Sequence, residues 1–305
     1  MSTTAEREPG REREIDGRAV GNSFAGDVWV TLKRWLRKNL RNPFVVLEAL
    51  LTPLIFLVLF TEVFGQITGD ALRDALGTDV SYVIYLTPAI VILSAMEAAG
   101  NSGIGLVDDM ESGMLEKVLV SPTHRGAIFL GKALADVLRI VVQTGMILAL
   151  GYAVLWIDTG GSVGTYVETG LPGLVGIFAI AVVFSLWFAA FSNIAALVTR
   201  DHESTVIWAN LLQYPMLFLS SAFLPIEVLP EWMQVLATYN PVTYGVDAVR
   251  ALMLGRDVLT VIDVTAFSGV WNTVVPAVAA LGALGLALCG IATVLLYRTS
   301  SSRVD

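Results

Sequence analysis

Residues 171–198 read LPGLVGIFAIAVVFSLWFAAFSNIAALV and contain no charged side chain. An α-helix needs about 20 mostly apolar residues to cross the hydrocarbon core of a bilayer, and this stretch exceeds that length. The whole chain has a matching composition, because 55% of its 305 residues are hydrophobic and only 15% are charged. A soluble domain has about 25% charged residues. The sequence therefore predicts an integral membrane protein of the all-α class.

Apolar segments of similar length recur along the chain and predict six transmembrane helices: 44–64, 82–106, 128–155, 171–198, 206–224 and 273–296. We expect a membrane domain over 43–298, with an amphipathic helix at 28–42 before it and a short tail at 299–305 after it. Residues 1–27 are polar and mixed in charge, which predicts a disordered tail without the apolar region of a signal peptide.

Several classes of function are disfavoured by composition. The single cysteine, Cys289, cannot form an internal disulfide, and two histidines with one cysteine cannot build a structural zinc site. The net charge of −8 disfavours nucleic acid as a partner. We expect no metal and no cofactor on this chain.

The distribution of lysine and arginine predicts the orientation. Basic residues cluster before the first span, whereas the first loop has one arginine against three aspartates and loop 156–170 has no basic residue. Because cytoplasmic loops carry the excess of Lys and Arg, both termini are predicted to be cytoplasmic. Arg250 and Arg256 run against this orientation, but charges in a long loop orient a chain weakly.

Residues 28–41, VWVTLKRWLRKNLR, have the pattern of a basic amphipathic helix. At 100° per residue the apolar side chains share one face. We expect a helix in the membrane interface, with Trp29 and Trp35 at headgroup depth, which either anchors the orientation or also docks a cytoplasmic partner. The opposite face carries Lys33, Arg34, Arg37, Lys38 and Arg41.

Polar side chains inside the predicted spans are costly in lipid and should face protein or water. Glu48 lies in the first span, and Glu97 in the second precedes a glycine-rich stretch that predicts a helix break or a close helix contact. The third span carries a stripe on one face, which either binds neighbouring helices or lines a substrate path. Its members are Lys132, Asp136, Arg139 and Gln143, with pairing expected along the helix.

Two motifs suggest chemistry but lack its requirements. Residues 126–133, GAIFLGKA, nearly match a phosphate-binding loop, but Ala133 replaces the hydroxyl that would hold magnesium and no strand precedes it. Asp108 and Asp109 form an adjacent acidic pair, a weak metal signature because neighbours on a helix point about 100° apart. We expect a transport subunit, not an enzyme.

Two further segments carry more specific patterns. Between the second and third spans runs E-x-G-x-x-E-x-x-x-x-S-P, and between the fifth and sixth runs L-P-x-W, followed by N-P-x-T-Y and an arginine. With these patterns in order, residues 28–298 resemble the permease subunits of ATP-binding-cassette type-two exporters, including daunorubicin-resistance-like permeases. The first pattern uses Glu111, Gly113, Glu116, Ser121 and Pro122; the second uses Leu229, Pro230, Trp232, Asn240, Pro241, Thr243, Tyr244 and Arg250.

The resemblance implies a division of labour. Such permeases bind no nucleotide; ATP and magnesium are held by a separate ATPase subunit, and two permeases with two ATPases form an exporter in the plasma membrane. The sequence does not identify the substrate; we expect a drug-like or lipid-like amphiphile, with a polysaccharide as the second possibility. The implied sites are a connecting helix (Lys33, Arg34, Trp35, Arg37, Lys38), a coupling helix (Glu111, Gly113, Leu115, Glu116, Pro122) and outer re-entrant helices (Pro230, Trp232, Asn240, Pro241, Tyr244, Arg250).

Two alternatives follow from other residues. An autonomous ion-coupled secondary transporter would use Glu97 or the Asp136–Arg139 stripe, although no inverted internal repeat is visible. A membrane enzyme acting on a lipid carrier would use Asp108 and Asp109 with a divalent metal.

Overall fold

The computed structural model describes residues 23–41, 43–65, 80–114, 117, 124–160, 163–258 and 266–301. Every regular element within these ranges is helical, which confirms the all-α class. The elements are α1 (Phe24–Leu40), α2 (Pro43–Phe64), α3 (Tyr82–Glu111), α4 (Arg125–Thr159), α5 (Val163–Tyr166), α6 (Gly170–Thr199), α7 (His202–Phe218), a 3-10 turn (Ile226–Val228), α8 (Glu231–Thr238), α9 (Pro241–Leu254) and α10 (Trp271–Ser301).

Four of the described helices, α3, α4, α6 and α10, are long and apolar enough to cross a membrane. The other two predicted spans also fall on helices, but α2 contributes a shorter apolar run, Leu51–Phe64, and α7 has 17 residues. Helix α7 ends before the predicted limit of 224. Its last carbonyl groups, on Met216 and Leu219, accept hydrogen bonds from the Asn240 side chain, and Pro215 lies in the final turn.

Helix α3 is the centre of the bundle. It packs against α2, α4, α6, α7 and α9, and most of its residues are buried. The glycine-rich stretch makes a close contact without breaking the helix: the Ser192 hydroxyl of α6 donates to the Gly100 carbonyl at 2.6 Å. A Cβ atom added at Gly103 would overlap the Ser192 backbone, so only glycine allows α3 and α6 to approach this closely.

Helix α1 packs along α4. The phosphate-loop-like sequence GAIFLGKA is part of α4. A Cβ atom at Gly131 would lie 2.7 Å from Thr31 Cβ, so the missing side chain lets α1 pack closely against α4. The buried Asp27 side chain of α1 accepts a hydrogen bond from the His124 backbone N–H at 3.0 Å and one from the His124 ring nitrogen Nδ1 at 2.9 Å. The two tryptophans differ from the expectation of a shared interfacial face, because Trp29 is 62% exposed whereas Trp35 is 6% exposed and packs inside the protein.

Helix α9 is buried between α3, α6 and α10. Asn240 caps its N-terminus by accepting a hydrogen bond from the Val242 N–H at 3.0 Å, and Pro241 occupies the first helical position, where no N–H is needed. The same Asn240 side chain donates to the end of α7 at 2.6 and 2.8 Å. The N-P dipeptide therefore starts α9 and ties it to α7.

The α3–α6 contact leads to a first prediction. Gly103→Ala should lower the thermal unfolding midpoint of the detergent-purified protein, since overpacking a close contact costs about 1–3 kcal/mol. The matched control is Gly282→Ala in α10, where a Cβ atom meets nothing within 4 Å. That variant should unfold at or above the wild-type temperature, and an equal loss in both variants would contradict the contact's importance.

Candidate functional site

The acidic pair at the end of α3 joins three helices. Asp109 accepts hydrogen bonds from Arg34 at 3.1 Å and Lys38 at 3.2 Å, both on α1. Asp108 lies 3.5 Å from Lys38 and 2.9 Å from His202, the first residue of α7. Although the two aspartates point in different directions, the long Lys38 side chain reaches both. We call these five residues the acidic-pair cluster.

The start of α7 is fixed beside this cluster. The Asp201 side chain accepts a hydrogen bond from the Ser204 backbone N–H at 2.8 Å and so caps the helix. The hydrogen bonds from the Ser204 side chain and backbone hold the pKa of Asp201 below its usual range. Asp201 therefore keeps its negative charge at the positive end of α7 and holds His202 next to Asp108.

The contacts of the acidic pair differ from those of a metal site. Both carboxylates face cationic partners, and within the described ranges no group of three or more His, Cys, Asp or Glu residues could hold a metal ion. Such contacts anchor α1 and α7 to α3.

Trp35 is surrounded by positive charge. Arg34, Lys38 and Lys132 lie 5.0, 4.9 and 5.4 Å from its ring centroid, within the range of cation–π attraction. A Cβ atom at Gly105 would lie 3.0 Å from the ring, so the ring packs on α3 where no side chain projects from the helix. Part of the predicted connecting helix thus points into the bundle, while Lys33 and Arg37 are exposed.

The polar stripe of α4 binds α4 to α3. Lys132 and Asp136 pair at 3.2 Å, which confirms the predicted pairing along the helix for these two residues. Ser102 of α3 donates to Asp136 at 2.9 Å and accepts from Lys132. The stripe therefore serves as a structural contact between two helices.

Three members of the same stripe also line a cavity. The cavity has a volume of about 580 Å³ and lies between α1, α3, α4 and α7. Ligand pockets typically measure about 300–1,000 Å³. Asp136, Arg139 and Gln143 form one wall. Helix α3 adds Glu97, Asn101 and Ser102.

Helix α7 supplies a wall that sequence analysis missed, made of Asn210, Gln213 and Tyr214. Their spacing of three and one places them on neighbouring parts of one helix face, and that polar grouping inside an apolar segment was the available signal. Glu48, by contrast, lies in α2, and its side chain is outside the described part of the structure.

The predicted coupling segment begins where α3 ends. Glu111 is the last helical residue and is exposed, and the Ser112 hydroxyl donates to the Asp108 carbonyl at 2.7 Å. Gly113 has a φ of +65°, a left-handed conformation that favours glycine, so the chain turns here. The remaining predicted coupling residues, Leu115, Glu116 and Pro122, lie outside the described residues.

The predicted outer segment contains a buried ion pair. Arg250 donates to Asp247 at 2.9 Å and to the Ser221 carbonyl at 2.9 Å, and its guanidinium lies 3.9 Å from the centre of the Tyr85 ring. Ser221 in turn donates to Asp247 at 2.7 Å. Because a buried charge is tolerated only when paired, this network explains an arginine in a helix surrounded by apolar neighbours.

The other outer residues have separate places. Pro230 precedes α8 as its N-cap, and Trp232 in α8 is 60% exposed. The Tyr244 hydroxyl donates to the Thr238 carbonyl at 3.0 Å and so links α9 to α8. Together with the Asn240 contacts, this hydrogen bond ties α8, α9 and the end of α7 to one another.

Residues 26–254 match the family described as ABC-2 type transporter, and the chain belongs to this family. The chain is 29% identical over 217 residues to the daunorubicin resistance ABC transporter permease protein DrrB1 of Streptomyces coeruleorubidus, covering 70% of each. It is 25% identical over 238 residues to the probable doxorubicin resistance ABC transporter permease protein DrrC of Mycobacterium tuberculosis, covering 78% of this chain and 80% of the relative. It is 22% identical to the probable multidrug ABC transporter permease YbhR of Escherichia coli over 67% of this chain and 50% of that protein.

The protein is thus a multi-pass membrane permease of the ABC exporter type, as the sequence motifs indicated. Its relatives are named as transport permeases, in keeping with a transport subunit that is not an enzyme.

The acidic-pair cluster leads to a second prediction. Asp109→Asn should loosen α1, because hydrogen bonds to a charged group contribute about 1.5–3 kcal/mol. Trypsin should then cleave faster at the exposed Lys33 and Arg37. Asp108→Asn is the neighbouring control and should have a smaller effect, since its side chain is 39% exposed against 10% for Asp109. Equal cleavage in wild type and Asp109→Asn would show that these ion pairs do not hold α1.

The buried ion pair leads to a third prediction. Arg250→Leu should abolish most of the monodisperse protein recovered by size-exclusion chromatography, because an unpaired buried carboxylate costs about 3–5 kcal/mol. The double variant Asp247→Leu with Arg250→Leu should recover more protein than Arg250→Leu alone. If the double variant instead yields no more protein than Arg250→Leu alone, the two residues do not act as a pair.

Proposed function

We propose that this chain is the permease subunit of an ATP-driven exporter, which works with a separate ATPase. The family match over residues 26–254 is the observation that carries the proposal. In this arrangement two permeases form the substrate path and two ATPases hold ATP and magnesium. Helices α2 and α7 are then the first and fifth of six spans, and both termini lie in the cytoplasm.

The proposed coupling runs along α3. Segment 108–122 docks on the ATPase, with Glu111 and Glu116 as its acidic contacts and Leu115 on its apolar side. A helix of 30 residues is about 45 Å long, so a displacement near Glu111 is carried towards Tyr82. The acidic-pair cluster carries the same displacement to α1 and α7, because its ion pairs connect them to the end of α3.

The energetics set a requirement on the ATPase. ATP binding drives transport only if the ATPase dimer binds one permease state more tightly than the other. A shift from about 1:99 to 99:1 requires about 5.5 kcal/mol of differential affinity. Contacts of the coupling segment are the ones that must differ between the two states.

The proposed substrate is a drug-like or lipid-like amphiphile, with a polysaccharide as the second possibility. The names of two relatives refer to daunorubicin and doxorubicin resistance, which supports the amphiphile. The cavity between α1, α3, α4 and α7 combines polar walls with apolar surroundings, a combination that suits a molecule having both characters.

A second candidate function is an autonomous ion-coupled secondary transporter. Its supporting observation is that Glu97 and the Asp136–Arg139 stripe line the same cavity, where a carboxylate could bind a coupling ion. This candidate needs no ATPase, so the two proposals differ in an observable way.

The fourth prediction separates them. The full chain, purified from native membranes in mild detergent, should retain a stoichiometric ATPase subunit. The double variant Glu111→Lys with Glu116→Lys should retain at least about tenfold less of the ATPase, because the new lysines would repel the basic groups that we expect opposite Glu111 and Glu116 on the ATPase. A chain that purifies alone and moves solute under an ion gradient without ATP would favour the secondary transporter.

The control for this experiment is Glu203→Lys. Glu203 is an exposed acid in the first turn of α7, whose start lies beside the end of α3. It lies at the same end of the bundle but outside the coupling segment, so it should retain the ATPase. Equal retention by wild type and the double variant would overturn the coupling assignment.

A further inference from the structure

We propose that the cavity between α1, α3, α4 and α7 binds the uncharged, polyhydroxylated head of an amphiphile, such as a glycosyl group. This inference rests on the proposed function, because it assigns a place and a polar chemistry to the exporter's substrate.

The cavity walls are rich in carboxamides. Four of them come from three different helices: Asn101 on α3, Gln143 on α4, and Asn210 and Gln213 on α7. Each carboxamide has an acceptor oxygen and a donor NH₂ group. A hydroxyl group also both donates and accepts, so a ring of hydroxyls is the ligand chemistry that this set of walls complements.

The charges at the cavity are balanced once the partner of Asp136 is counted. Three carboxylates line the walls, on Glu97, Asp108 and Asp136, against two cations, Lys38 and Arg139. Lys132, which does not line the cavity, pairs with Asp136 at 3.2 Å and supplies the third positive charge. An anionic head such as a phosphate would require an excess of cations, and a cationic head an excess of carboxylates. The balance favours a ligand head without net charge.

The surface next to the cavity suits an apolar tail. Helix α7, which supplies Asn210 and Gln213 to the cavity, exposes large apolar side chains along its length, including Ile207, Leu211 and Phe218. Trp35 and Ile104 add apolar surface to the cavity itself. An amphiphile can therefore place its head among the carboxamides and its tail along α7.

The test uses the full chain in phosphatidylcholine nanodiscs, without an ATPase, and a fluorescent alkyl maltoside as the probe. An alkyl phosphocholine with the same tail and fluorophore is the comparison. The maltoside should bind at least about tenfold more tightly than the phosphocholine, because its hydroxyls add hydrogen bonds that the choline head cannot form. Equal affinity would overturn the proposal, since binding would then come from the tail alone.

Two variants locate the binding. Asn210→Leu and Gln143→Leu should each weaken maltoside binding about fivefold to tenfold and leave phosphocholine binding unchanged. Asn210 is exposed, so its replacement leaves folding intact even if the buried Gln143 does not tolerate leucine. The matched control is Gln234→Leu on α8, whose amide binds the Leu229 carbonyl away from the cavity. Unchanged maltoside affinity in Asn210→Leu would place the head elsewhere and overturn the proposal.

The failure of this inference and the failure of the proposed function are distinguishable. Head-group selectivity in nanodiscs with no ATPase retained from native membranes would refute the exporter proposal and leave the cavity assignment standing. An ATPase retained in full together with no selectivity would refute the cavity assignment alone.

Discussion

The packing of α3 among five neighbouring helices is the constraint on which the rest of the structure depends. Each neighbour meets it through a different chemistry: α6 through the close approach at Gly103, α4 through the Ser102 contact to Asp136, and α9 through the Tyr85 ring under Arg250. Because interiors are close-packed, a helix held from several directions moves with its neighbours. A helix in this position connects whatever acts on its exposed end to the interior of the bundle.

Carboxylates at both ends of this helix are paired with basic side chains. Asp109 at one end is paired with Arg34 and Lys38, and Asp247 near the other is paired with Arg250. The first cluster is partly exposed and the second is buried, so water screens the first and protein groups alone compensate the second. The ion pairs that connect helices at the exposed end are therefore the ones that can rearrange at low cost.

The sequence predicted much of the fold because apolar length and helical period are local properties. All six apolar segments begin on helices, α1 is a helix, and Lys132 pairs with Asp136 as its spacing required. The outcomes that differed depend on tertiary contacts. Trp35 is buried because Gly105 leaves space for its ring, and α7 ends early where the Asn240 side chain hydrogen-bonds its last carbonyl groups. The carboxamides of α7 form a cavity wall only because α3 and α4 lie opposite them. Such pairings join residues far apart in the chain, and no periodicity encodes them.

The buried Asp247–Arg250 pair has a consequence for biosynthesis. A helix that carries two charges cannot enter lipid on its own hydrophobicity, so α9 depends on a site already lined with protein groups. That site is built by Tyr85 of α3 and by Ser221, both synthesised earlier than α9. We therefore expect α9 to reach its final packing only after α3 and the segment carrying Ser221 are in place to compensate its charges.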